Sequence, residues 1–300
     1  MSVEQDVVVT PVQADRIQAR GPAPRVGFGR RFLRQRGAVI ALAILLVITA
    51  AAVLAPLWTF HDPNGGVLSD AFSGPSGSHW FGADDLGRDV FTRMVYGARL
   101  SLGAAVIAVG IALVIGLPFG LVAGFAGGRW DSVIMRVNDA LMSFPPLILA
   151  VSIVGFLGAS LTNAMAAIGI VYAPRLMRVV RGAAMSIRQE TYVEAARMMG
   201  VPARQIIGRH VLPNILSPLL VEISLSLGFA ILAEASLSFI GLGVQPPSAS
   251  LGSMLGDAFR YLRRAPVFAI APGVAIMIIV LSLNVLGDGL RDSLGRRARR

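Results

Sequence analysis

Two glutamates, Glu222 and Glu234, lie in one long apolar run, and Asp139 lies close to Arg136 in another. Carboxylates in such settings can line a path for a polar solute or ion, or tie helices together. Charge placed among apolar residues at membrane depth is costly, which makes each of them a functional candidate. Covalent chemistry has little to work with. The chain has no cysteine, and all 27 of its basic residues are arginine. Thiol chemistry, a Schiff-base lysine and a Gly-Lys-Ser/Thr phosphate loop are therefore excluded. His61, His79 and His210 are too dispersed to suggest a local metal motif. Neither a Gly-x-Ser-x-Gly elbow nor a His-Glu-x-x-His helix is present.

The most distinctive polar stretch runs from Thr191 to Pro213. Thr191, Tyr192, Val193 and Glu194 fit a capping box, with Thr191 as the cap and Glu194 answering it. Gly200 can adopt the left-handed conformation that ends a helix, and Pro202 follows as a stop. The spacing predicts a helix of barely three turns that offers Ala195 and Ala196 to a closely approaching partner. A solvated linker helix is the bland alternative.

The surrounding elements must be membrane spans. The composition is 55% hydrophobic and 15% charged, and the mean hydropathy is +0.69, which together argue for an all-α integral membrane protein. Apolar runs long enough to cross a bilayer core predict six transmembrane helices. They lie at residues 37–57, 100–128, 131–158, 161–180, 214–240 and 265–287. The first run is too long and too far from Met1 for a signal peptide. If the N-terminus is cytoplasmic, 21 of the 27 arginines fall on the cytoplasmic side, so both termini are expected there. Nucleic acid is excluded as a partner, because the arginines flank apolar spans instead of interleaving with aromatics.

The expected organisation follows. Residues 1–36 form a disordered cytoplasmic tail, 37–57 the first span, and 58–98 an external loop with an amphipathic segment. Residues 99–290 form a five-span core containing a loop at about 181–213, and 291–300 a basic tail. Gly116, Gly120 and Gly124 make a smooth groove for another helix, of this chain or of a second subunit. Asp139 and Arg136 have the i, i+3 spacing of an ion pair, read as structural and near the cytoplasmic rim. Glu234 is open to two readings, a polar pathway or a bond to the 241–266 loop.

Glu194, Ala195, Ala196, Gly200, Leu212 and Pro213 resemble the E-A-A, G, L-P loop of the permease subunits of bacterial ABC importers. His210 stands where the general pattern has Ile. The resemblance covers residues of about 30 to 292 and is specifically to the C-type permease of dipeptide/oligopeptide importers. It includes HWFGADDLGRDVFTRMVYGARL from His79, GGRWDSVIMRVNDALMSFPPL from Gly127, AEASLSFIGLGVQPPSASL from Ala233 and GDGLRD from Gly287. Glu222 departs from it, since an uncharged residue is usual there. The resemblance implies a type I importer permease fold in the cell membrane, with alternating access. It implies a second homologous permease, two cytoplasmic ATPase subunits that hold ATP and Mg, and an extracytoplasmic solute-binding protein. This chain would bind no cofactor and catalyse no reaction. The rival class, an ion-coupled secondary transporter acting without an ATPase, should show internal repeats or charged residues near the midplane; no repeat is clear, and it leaves the E-A-A loop unexplained.

Overall fold

The computed structural model describes residues 28–295. The remainder of the expected N-terminal tail and the end of the basic tail lie outside the described residues. Among the described residues every element is helical, apart from an isolated bridge between Ala83 and Asp89. In chain order the elements are α1 (Phe28–Leu33), α2 (Arg36–Val53), α3 (Ala55–Trp58), α4 (Val90–Ala126), α5 (Gly128–Met142) and α6 (Pro146–Leu157). There follow α7 (Leu161–Arg188), α8 (Thr191–Met198), α9 (Ala203–Ile206), α10 (Leu212–Phe239), α11 (Leu251–Phe259) and α12 (Pro266–Gly295). A turn of π-helix, Ile207–Val211, joins α9 to α10.

Among the described residues, four helices are long and apolar enough to cross a bilayer: α2, α4, the continuous Ala203–Phe239 run and α12. A fifth crossing exists if α5 and α6 count as one, and here the expected third span needs correction. It is no single rod, because α5 and α6 meet at 88°. The break is at Ser143-Phe144-Pro145, where two successive prolines, Pro145 and Pro146, cannot continue the helix. The boundary at Gly158 is real. Ser160 caps α7 by accepting from the Asn163 N–H at 3.1 Å, and the Asn163 amide donates back to the Leu157 and Gly158 carbonyls. Helix α7 is long enough to cross, but Arg175, Arg178, Arg181 and Arg188 interrupt its apolar character.

The glycine groove is filled by this chain's own α7. A Cβ on Gly116 would strike the Ala173 carbonyl and Leu176. On Gly120 it would strike the Met177 carbonyl and Val180, and on Gly124 the Arg181 carbonyl and Ala184. Only glycine lets the two backbones approach this closely. Leu176, Val180 and Ala184 from this contact join Phe125, Ile206 and Ile215 in one cluster, while the main core includes Val109, Val154, Ile168, Ile231 and Ile279.

The expected Arg136–Asp139 pair does not form. Arg178 instead reaches Asp139 at 2.7 Å, and Arg181 grips Asp131 with two nitrogens, one of them at 2.7 Å. Both pairs fasten the bent α5 to α7. The Arg181 fork meets both oxygens of Asp131, the bidentate geometry that suits a guanidinium and a carboxylate.

Candidate functional site

The Thr191–Pro213 segment folds back onto the ends of α4, α7 and α10. Helix α7 stops at Arg188, leaving only Gln189 and Glu190 before α8 begins. That short connection changes the cap. Thr191 is already the first helical residue, and the Glu190 carbonyl accepts from the Val193 and Glu194 N–H groups at 2.9 and 3.1 Å. No side-chain cap forms, so the Thr191–Glu194 capping box is absent. The helix is also shorter than expected, at 8 residues.

Its end is well defined. Gly200 has φ +76°. The Val201 N–H reaches the Ala196 carbonyl at 3.1 Å, and the Gly200 N–H reaches the Arg197 carbonyl at 2.9 Å. This pair of bonds is a Schellman motif, which uses glycine for its left-handed residue and satisfies the last carbonyls of the helix.

Helix α8 has two faces. Val193 and Ala196 are buried among Phe125, Val180, Ala184, Ile206 and Ile215. Ala196 therefore faces inward, which corrects the expectation that both alanines are offered to a partner; Ala195 is exposed with Glu194. The outer surface instead carries Met198 and Met199, 90% and 75% exposed, with Tyr192 also open. The two methionines were not singled out from sequence, although an exposed pair of apolar side chains at a helix end was there to be asked about.

Side chains weld this helix to the spans. Asn214 donates to the Tyr192 hydroxyl at 3.2 Å and to the His210 carbonyl at 2.7 Å. The rings of Tyr192 and His210 lie 5.7 Å apart. His210, the departure from the general pattern, is thus a packing partner of Tyr192. Desolvation, then the Glu190 carboxylate, hold the Tyr192 phenol above its usual pKa, so it remains a neutral hydroxyl. Arg197 reaches the Phe125 carbonyl at 3.5 Å and lies over the Phe125 ring at 4.6 Å. That places a cation at the C-terminal end of α4, where the helix dipole favours it. Leu212 is half-buried and Pro213 exposed in the first turn of α10. Pro213 cannot donate, and its ring would crowd the carbonyl one turn back. The π-turn widens the chain just before it. Helix α8 is thus packed against or bonded to α4, α7 and α10 together.

The two glutamates occupy different environments. Glu234 is 1% exposed. It accepts from Ser101 at 2.8 Å and from Ser238 at 2.7 Å. Those hydroxyls in turn accept from the N–H groups of Leu251 and Val244, both at 3.3 Å. One carboxylate thereby connects α4, α10, the 241–250 loop and the start of α11. Glu222 is paired with Arg175 of α7 at 2.8 Å. Arg175 was not anticipated as a partner, because nothing local in the sequence brings residues 175 and 222 together.

At the opposite end of the molecule, the loop before α4 is built on Asp84, which is fully buried. It accepts from the N–H groups of Leu86 and Arg88 and from the Arg88 guanidinium at 2.6 Å. Asp89 caps α4 through the Thr92 N–H at 2.8 Å and contacts His79 at 3.1 Å. A cleft of about 310 Å³ opens beside it, lined by Trp58, His61, Trp80 and Phe91 among others.

Residues 116–300 match the model of binding-protein-dependent transport system inner membrane components, and residues 26–75 match the N-terminal TM domain of oligopeptide transport permease C. The chain is 44% identical over 266 residues to a dipeptide transport system permease protein DppC of Alkalihalophilus pseudofirmus, covering 88% of this chain and 87% of that one. It is 42% identical over 268 residues to a glutathione transport system permease protein GsiD of Pectobacterium atrosepticum, covering 89% of each. Among solved structures, an inward-facing MetNI methionine ABC transporter superposes with a TM-score of 0.58 at 22% identity, over 68% of this chain and 97% of that one. At that identity the likeness concerns the fold alone.

Proposed function

This chain belongs to the family of binding-protein-dependent transport system inner membrane components, the permease subunits of ABC importers, and from that premise we propose that it carries peptides or a closely related solute. The relatives' names point to dipeptides, other peptides and glutathione, so a short peptide or peptide-like solute is the class favoured. The chain forms half of the translocation pathway, opposite a second homologous permease. Two ATPase subunits sit on the cytoplasmic side, and an extracytoplasmic solute-binding protein delivers the solute. In this arrangement six helices span the membrane, counting the α5–α6 elbow as one and α7 as another. Both termini lie in the cytoplasm, as the arginine distribution indicates.

The observation that carries this reading is the form of α8. It is a short helix with an exposed Tyr192–Met198–Met199 surface, ended by Gly200 and packed by Val193 and Ala196 onto three long helices. Seated in a cleft of an ATPase subunit, it transmits closure of the ATPase dimer to α4, α7 and α10, and the pathway opens outward. Hydrolysis and product release return it inward. This chain needs no cofactor for that cycle, since ATP and Mg act on its partners. Uptake of a labelled dipeptide into vesicles bearing the complete set of subunits tests the reading. Uptake should require ATP and the binding protein. Uptake driven by an ion gradient without an ATPase would overturn it in favour of a secondary transporter.

A further inference from the structure

Arg175 and Glu222 form a charged pair between α7 and α10, away from the loop. Gly116 packs against Ala173 and Leu176, and it lies about 15 Å from the loop-side end of α4 at the helical rise of roughly 1.5 Å per residue. Arg175, beside Ala173 and Leu176 on α7, therefore lies well short of that end. The pair is asymmetric. The Glu222 side chain is 9% exposed and the Arg175 side chain 41%. Arg175 also lies over the Phe229 ring at 4.8 Å, and Phe229 stacks with Tyr172. One turn closer to the loop, Arg178 and Asp139 are more exposed still. Tyr172, Arg175, Arg178 and Phe229 thus form one open face across α7 and α10. Charged side chains within spans characteristically face the bundle interior or a water-filled cavity, and this face fits such a setting.

We propose that Arg175 is a transient docking point for the carboxylate of the passing solute, with Glu222 holding the guanidinium in position; this rests on the peptide-importer reading. Glu222 engages Nε. The two terminal nitrogens make no hydrogen bond among the described residues, and their planar fork matches a carboxylate. The buried Glu222 keeps the local charge balanced. A carboxylate is then held weakly enough to leave, as a conducting site requires. Phe229 and Tyr172 flank the site with aromatic surface that suits varied side chains.

This chain has no cysteine of its own, so one introduced thiol is its only reporter. In the complete importer, a Phe229→Cys variant should react with water-soluble thiol reagents, and faster with an anionic than a cationic one. Adding Arg175→Gln should abolish that preference. Uptake of one peptide is then compared in free-acid and C-terminally amidated forms, choosing a peptide whose two forms the binding protein holds equally. Arg175→Gln should lower uptake of the free acid by roughly tenfold, the scale of one charge-assisted hydrogen bond, and spare the amide. If that variant fails to insert because Glu222 is left unpaired, Arg175→Gln with Glu222→Gln should restore insertion and give the same selective loss. Equal loss for both peptides, or a cysteine at 229 that reacts only when the second permease is missing or not at all, overturns the assignment while wild-type import stands. A wild type that imports neither peptide overturns the peptide reading first and this one with it.

Discussion

The Asn214 side chain donates to the Tyr192 hydroxyl at 3.2 Å, joining the two halves of the loop. Its second bond, to the His210 carbonyl at 2.7 Å, fixes the amide on α10. One side chain thus ties α8 to the base of α10. Asn214→Ala should leave membrane insertion intact and weaken the stimulation of ATP hydrolysis by loaded binding protein. Tyr192→Phe should do the same to a smaller degree, since the ring contact to His210 survives. Full stimulation in both variants would show that the weld is dispensable.

Gly200→Val tests the end of α8. Space is not the obstacle, for a Cβ there meets nothing within 4 Å. The cost is conformational, about 1–2 kcal/mol for a β-branched residue at positive φ. That is too small to unfold packed spans but enough to displace Met198 and Met199. Normal levels in the membrane with lost uptake are expected, measured by quantitative blotting and vesicle uptake.

Much of this was legible in sequence, for identifiable reasons. Arginine-bounded apolar runs mark spans because burial of charge is costly, and Gly200 marks a helix end because few residues tolerate its φ. The α5–α6 elbow was missed although Pro145 and Pro146 were visible, because the apolar pattern runs on through them. Ion pairs were harder. Asp139 has Arg136 nearby in sequence, yet the tertiary fold offers it Arg178 at 2.7 Å. The capping box failed on connection length: two residues between α7 and α8 leave no room for Thr191 to stand outside the helix.

Glu234 should behave as an internal tie. Glu234→Leu leaves the Ser101 and Ser238 hydroxyls buried without their acceptor, a loss of about 1–3 kcal/mol for each unsatisfied group. Thermal unfolding of the detergent-solubilised complex should show a clear fall for Glu234→Leu and a small one for Glu234→Gln, which keeps one acceptor. Unchanged stability in the leucine variant, with transport lost, would move Glu234 to the pathway.

The orientation is checked by labelling intact cells. Cysteines introduced at Ser76 and Ser248 should react with an impermeant thiol reagent from outside, and one at Ala203 should not. Reaction at position 203 from outside would reverse the arginine reading.

The central claim is that α8 is gripped by an ATPase subunit, and cross-linking tests it most directly. A Met199→Cys variant, in a chain with no other cysteine, is paired with single cysteines around the cleft of the co-purified ATPase. A disulfide should form at high yield with one cleft position, and its yield should change when ATP is bound. An active transporter that forms no such cross-link from position 199, but does so from residues at the opposite end of the spans, would contradict the account.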